Sequence, residues 1–290
     1  MSSLKEIRAR IASVASTGKI TNAMKMVSAA KLKKTESMTM SFLPYRDKLS
    51  EALSNYLSAL EEEVSIPLAE QRELSRVAIV AFSSSNGLCG VFNSNVCKLF
   101  QETYYNYTNQ VGYKNVDVYL FGKKINDFAS KNRIRATATY PSLSDEMSFE
   151  TATKLSDLLT ERFLNRNIDR VVMVYNHFKN AGVQVPQCET IIPLATDTLP
   201  KGNSYDYIVE PSKEAFINAL VPKVIRTKFY SVMLDTLTAE HGARMTAMHI
   251  ASDNANELLQ DLRREYNRAR QDVITTELID SVGGAEALNH

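Results

Sequence analysis

Three cysteines, four histidines and one Ser/Gly-rich turn are the first places to look for chemistry in this 290-residue sequence. Cys89, Cys97 and Cys188 are odd in number and form no CxxC pair, which argues against a disulfide framework or a zinc knuckle. His177, His241, His249 and His290 are scattered, with none at HxxxH spacing. The turn Ser83-Ser84-Ser85-Asn86-Gly87-Leu88-Cys89-Gly90 has neither GxxxxGK[ST] nor GxGxxG, so it offers no lysine to a β/γ-phosphate and no dinucleotide turn. Gly122-Lys123-Lys124 lacks the Ser/Thr that would complete a phosphate loop. Cys89 sits where a strand-to-helix turn could lower a thiol pKa, but no histidine lies within fifty residues of it, and a structural thiol is the expectation. Asp145 and Glu146 stand in a Pro/Ser-rich loop without a partner motif and read as solvated. No catalytic residue, cofactor or metal site is expected.

The elements that carry these residues are of two kinds. Between 75 and 205, apolar runs alternate with helical segments. Residues 76–82, 116–122 and 171–175 read as buried strands, 93–106 and 148–165 as helices, and Ile191–Leu194 as a sheet edge. Alternation of this kind predicts a Rossmann-like α/β domain with a mostly parallel sheet. On either side, 1–62 and 212–286 are nearly free of glycine and proline and read as helix. Ser212 is the expected N-cap of the C-terminal helices, and Pro222 the first-turn proline of the long one.

Two apolar patterns organise these ends. Leu4, Ile7, Ile11 and Val14 begin a stripe, with Ser3 and Glu6 as a capping box; after a change of phase at Gly18 it is expected to resume at Ile20, Met24, Val27 and Ala30. In the C-terminal helix Met245, Met248, Ser252, Ala255, Leu259, Leu262, Tyr266, Ala269, Val273 and Thr276 alternate steps of three and four, a coiled-coil seam. A compact chain of this length is about 50 Å across by the usual scaling, while sixty helical residues run to roughly 90 Å, so the two helices are expected to project together as a rod. Residues 1–34 carry eight basic side chains and one acidic. Residues 253–286 carry eight acidic and four basic, so the pair is charge-complementary. The basic, Ser-bearing start is accordingly read as a structural helix rather than a mitochondrial presequence. The overall balance of 34 basic and 33 acidic residues gives no global argument for nucleic acid.

Specific blocks add a resemblance. Ile11-Ala12-Ser13-Val14 with 17–32 (TGKITNAMKMVSAAKL), Gly87-Leu88-Cys89-Gly90 with Asn93, 243–248 (ARMTAM) with Asn254-Ala255, and Asn267-Arg268-Ala269-Arg270-Gln271 with Ile274-Thr275 resemble the gamma subunits of rotary ATP synthases. The blocks span essentially the whole chain. The resemblance implies a long antiparallel coiled coil with an α/β domain at its foot. It implies a central-stalk rotor of a proton-translocating ATP synthase, itself non-catalytic and without direct nucleotide binding. Its partners would be the alpha and beta subunits, the epsilon subunit and the membrane c-ring, and not nucleic acid. Met24, Lys25, Arg244, Arg270, Gln271 and Thr275 would touch the beta subunit. Its place would be the cytoplasmic face of a cell membrane, or alternatively the matrix side of a mitochondrial inner membrane. Three positions depart from the family: Ser85 where an aspartate is usual, Gly242 where alanine is usual, and Arg264 where many members are apolar. The competing readings are a free-standing α/β enzyme and a coiled-coil adaptor or nucleic-acid-binding arm.

Overall fold

A computed structural model of the chain describes residues 4–58, 66–141, 148–195, 210 and 212–288. Ser3, Asp145 and Glu146 lie outside the described residues. The elements in order are α1 (Leu4–Ser58), β1 (Val77–Phe82), α2 (Phe92–Val111), β2 (Val116–Phe121), α3 (Lys123–Lys131), β3 (Ala138–Tyr140), α4 (Phe149–Leu164), β4 (Arg170–Asn180), β5 (Val183–Ile192) and α5 (Lys213–Leu288). They form two compact units, Met1–Val27 with Met245–His290, and Ser28–Arg244.

The larger unit is built on a five-stranded sheet in the order β3-β2-β1-β4-β5. The first four strands are parallel and β5 pairs antiparallel with β4. β1 is a continuous apolar run because helices cover both of its faces. Ala78, Val80 and Phe82 pack among α1, α4 and α5, whereas Val77, Ile79 and Ala81 pack among α2 and α3. Three of the expected strands are thus present. The segment expected to end at Tyr175 continues to Asn180 and turns back as β5, so Ile191 and Ile192 finish a ten-residue edge strand. α3 and β3, which the apolar pattern did not single out, complete the far side of the sheet.

α5 starts at Lys213, and the Ser212 hydroxyl accepts the Ala215 amide at 3.2 Å as an N-cap. Pro222 therefore lies inside this helix, not in its first turn. The proline cannot donate to the carbonyl of Asn218, but Asn218 is exposed, so water can satisfy that oxygen. Pro44 inside α1 has the same relation to Met40, which is 71% exposed.

In the smaller unit the start of α1 packs on α5. Ile7 is buried, with Leu4, Ile11 and Val14 half-buried, as the first stripe predicts. The expected change of phase at Gly18 does not occur. The stripe continues through Gly18 and Thr21 to Lys25, still in steps of three and four, and leaves Ile20 and Val27 57% and 56% exposed. The reason is steric. A Cβ at Gly18 would stand 3.4 Å from the Cβ of Ala255, a separation that only small seam residues permit. On α5, Met248, Ser252, Ala255 and Leu262 are buried and Leu259, Tyr266 and Ala269 half-buried, whereas Val273 and Thr276 are exposed. The contacts of Gly18 with Ala255 and of Lys25 with His249 make the pair antiparallel. Fourteen residues from Gly18 back to Leu4 match the fourteen from Ala255 to Ala269, so the seam ends where the described part of α1 begins.

Candidate functional site

In open α/β sheets the ligand crevice lies beyond the carboxyl ends of the strands, where the strand order reverses. Here that point falls between β1 and β4, and α5 fills it. Ala239 and Ala243 pack with Cys89, Phe92 and Phe178. Asp235 fastens the helix to β4: one carboxylate oxygen accepts the Phe178 amide at 2.9 Å and the other lies 2.6 Å from His177 Nδ1. The start of α3 is capped from within, since Ser83 Oγ accepts the Ile125 amide at 2.9 Å and the Ser84 carbonyl accepts that of Lys124 at 3.2 Å. Two of the opening α3 amides, which a phosphate would otherwise use, are engaged by the chain itself.

The turn after β1 is held in the same way. Asn93 Oδ1 accepts the Ser84 amide at 3.1 Å, and Asn93 Nδ2 donates to Ser84 Oγ at 2.8 Å and Cys89 Sγ at 3.1 Å. Leu88 and Gly90 take positive φ values of 62° and 59°. Cys89 is 2% exposed, and burial raises its pKa, the opposite of what a nucleophile requires. Cys97 is pushed up by burial to about 11. Among the described residues no group of three His, Cys, Asp or Glu side chains is arranged to hold a metal.

The six residues expected at a partner surface fall in three places. Met24 and Lys25 are half-buried beside α5, with Lys25 Nζ 3.5 Å from His249 Nδ1. Arg270, Gln271 and Thr275 are exposed about 30 Å further along α5, at 1.5 Å per residue. Thr275 Oγ1 donates to the Gln271 carbonyl at 2.9 Å, so its hydroxyl is used within the helix. Arg244 belongs to the larger unit and is largely buried. It pairs with Glu240 at 2.7 Å and donates to the carbonyls of Asn86 and Gly87 at 3.3 and 3.4 Å. Its visible task is to clamp the β1 turn against α5.

Burial raises the Glu240 pKa despite the neighbouring Arg244 and Lys31, and burial together with the same two cations lowers that of His241 to about 4. Glu240 has no distinction in the sequence and His241 is left among scattered histidines, because a charge one turn from an arginine on a helix is ordinarily a solvated pair. Gly242, one of the departures, is not a loose point. A Cβ there would come within 2.9 Å of Phe178 Cε2 and 3.3 Å of Ala181 Cα. Ser85 donates to the Pro141 carbonyl at 3.1 Å, and Arg264 pairs with Asp261 on its own helix. The contact of His249 Nδ1 with the Asp253 carboxylate at 3.2 Å also lies within α5 instead of crossing the seam.

With a catalytic crevice filled and the exposed groups lying on helices, the comparisons decide the family. A sequence profile described as ATP synthase matches residues 3–288. An ATP synthase gamma chain of Flavobacterium johnsoniae is 47% identical over 290 residues, covering all of both chains. One from Bacteroides fragilis is 45% identical over 292 residues, covering 99% of this chain and 100% of its own. The chain belongs to the ATP synthase gamma-chain family. It is a subunit of the ATP synthase complex, not catalytic itself, with the central-stalk role of its family. The fold agrees: the rotor of the Euglena gracilis mitochondrial ATP synthase superposes with a TM-score of 0.63 at 19% identity, covering 93% of this chain and 98% of that one. A central stalk from Tetrahymena thermophila gives 0.59 at 24% identity, over 80% and 99%. The family's complex is membrane-associated, and none of the described helices is long and apolar enough to cross a membrane.

Proposed function

We propose that this gamma chain turns within a hexamer of alpha and beta subunits and couples proton flow through a membrane c-ring to ATP synthesis. The observation that carries the reading is the inverted use of apolar residues on the helix pair. Small and polar side chains (Gly18, Thr21, Ser252 and Ala255) close the middle of the seam, while Ile20, Met26 and Val27 on α1, and Ile274, Leu278, Ile279 and Val282 on α5 past the end of the seam, remain 46–66% exposed. Apolar side chains left outward along a helix pair suit partners that surround it. Met24, Lys25, Arg270, Gln271 and Thr275 would meet the beta subunit from this unit. Arg244 would act on the same partner by holding the turn that carries Leu88, itself 63% exposed. The foot domain would bear on the epsilon subunit and the c-ring, at the cytoplasmic face of the cell membrane, in line with the bacterial source of the similar chains. The test is co-assembly. Purified with alpha and beta subunits, the chain should form a stable ATPase, and failure to co-assemble would remove the rotor reading.

A further inference from the structure

The carboxyl edge of the sheet is filled by α5, but its amino edge has a different character. In the parallel register Val77 of β1 stands beside Val116 of β2 and Arg170 of β4, so the residues before these strands, with those before β3, line one edge. Six exposed cations are placed there: Arg76 before β1, Lys114 before β2, Lys131, Arg133 and Arg135 before β3, and Arg166 before β4. None is in an ion pair among the described residues. Of the acids nearby, Asp169 spends its carboxylate on the Ser75 and Arg76 amides and Asp117 pairs with Arg162, which leaves Glu73, Asp127 and Glu161 exposed.

Two of the arginines occupy positions that backbone conformation alone would not give them. Arg133 and Arg166 follow the ends of α3 and α4, each with φ 56°. Both helices close with the same pattern, Ile134 N–H to Ala129 O and Asn167 N–H to Arg162 O at 2.9 and 2.8 Å. In that closure the left-handed residue is ordinarily glycine, because a side chain there is disfavoured. Two separate helix ends thus carry an arginine at strained positions on one edge of the sheet, which suggests that the charge itself is required. Tyr113 and Leu164, 68% and 47% exposed, stand on the same edge.

We propose that the amino-terminal edge of the sheet is an electrostatic docking surface for the anionic headgroups of a lipid bilayer. Neighbouring strands are about 4.8 Å apart, so the cations are spread along a line of strand ends, not gathered round a pocket. Long side chains without fixed partners suit a diffuse anionic layer, near which each Lys or Arg is attracted without set geometry. An aromatic and an aliphatic side chain beside them match the headgroup boundary. Nucleic acid would be served less well, since among the described residues Tyr113 is the one exposed ring placed on this edge for bases to stack on. The inference rests on the rotor reading only for the presence of a bilayer within reach.

The test is co-sedimentation of the full chain with phosphatidylcholine vesicles, with and without about one third phosphatidylglycerol, at low and high salt. Binding should require the anionic lipid and be lost at high salt. R133E/R135E and K114E/K131E should each weaken it by roughly tenfold or more, while R8E/R10E on α1 leaves it largely intact. Equal binding to neutral vesicles, unchanged binding by both edge variants, loss only in R8E/R10E, or tighter binding to duplex DNA than to vesicles would each overturn the proposal. If one edge variant fails to melt cooperatively, the other decides. Co-assembly with alpha and beta subunits, measured on the same proteins, reports on the rotor reading separately.

Discussion

Glu240 and Arg244 pair at 2.7 Å across one turn of α5, with side chains only 8% and 11% exposed. A helix-surface pair of this spacing is worth a few tenths of a kcal/mol, but burial changes the consequence of losing one partner. Glu240→Ala leaves a buried guanidinium with two carbonyl contacts and no counter-charge. It should cost about 3–5 kcal/mol in urea unfolding. A loss below about 1 kcal/mol would show that the pair behaves as a solvated one.

His241 sets a pH dependence. In the unfolded chain it titrates near 6.5, and burial with Arg244 and Lys31 holds it at about 4 in the fold. The unfolded state takes up the proton first as pH falls, so stability fully present above about 6.5 is lost progressively towards 4. The loss should be on the order of 3 kcal/mol. Glu240, whose pKa is raised, works in the opposite sense: its contribution is present at low pH and lost as pH rises through its folded-state value. Unfolding of His241→Gln at several pH values isolates the histidine. An unchanged pH slope in this variant would assign the effect elsewhere.

Gly242→Ala sets two known effects against each other. Helix propensity favours alanine by up to about 1 kcal/mol. The new methyl would meet Phe178 Cε2 at 2.9 Å and the backbone of the β4–β5 turn at 3.3 Å, and overpacking typically costs about 1–3 kcal/mol. A net destabilisation of about 1–2 kcal/mol is expected, and a stabilised variant would mean that the turn yields freely.

Leu262, 3% exposed on the seam, tests the helix pair. Leu262→Asp loses about 1.5–3 kcal/mol of burial and adds a charge without a partner. Helical content and assembly with alpha and beta subunits should both fall, and retention of both would remove Leu262 from the seam.

Met24→Lys tests coupling. Lys25 already lies 3.5 Å from His249, so a second cation would be added at a half-buried place that, in the proposed rotor, meets the beta subunit. Assembly should survive and ATP hydrolysis continue at an altered rate while proton pumping per ATP falls. Membrane vesicles assayed for both would show an equal fall in each if Met24 only packs the helices.

The filled crevice predicts that the isolated chain binds neither ATP nor NAD in the millimolar range or tighter. Calorimetric titration should show no heat of binding, and micromolar affinity would contradict the internal capping of α3 by Ser83 and Ser84.

The strands β1 and β2, helix α4 and the seam from Met245 to Ala269 were legible in the sequence, because burial of apolar side chains at a fixed period is the force that makes them. The terminal blocks were specific enough to indicate the family. What hydrophobicity could not give was the path of the stripe past Gly18, where close approach of two helices selects glycine, threonine and serine and turns Ile20 and Val27 outward. Only tertiary packing decides that Arg244 is a buried clamp, since its partners Asn86 and Gly87 are more than 150 residues away in sequence. The same holds for the crevice: a run of α5 rich in small residues reads like any helix until Ala239 and Ala243 are found against Cys89 and Phe92. Local pattern fixes elements, because it depends on a residue's own period. Contacts between distant segments depend on shape, which the linear sequence does not display.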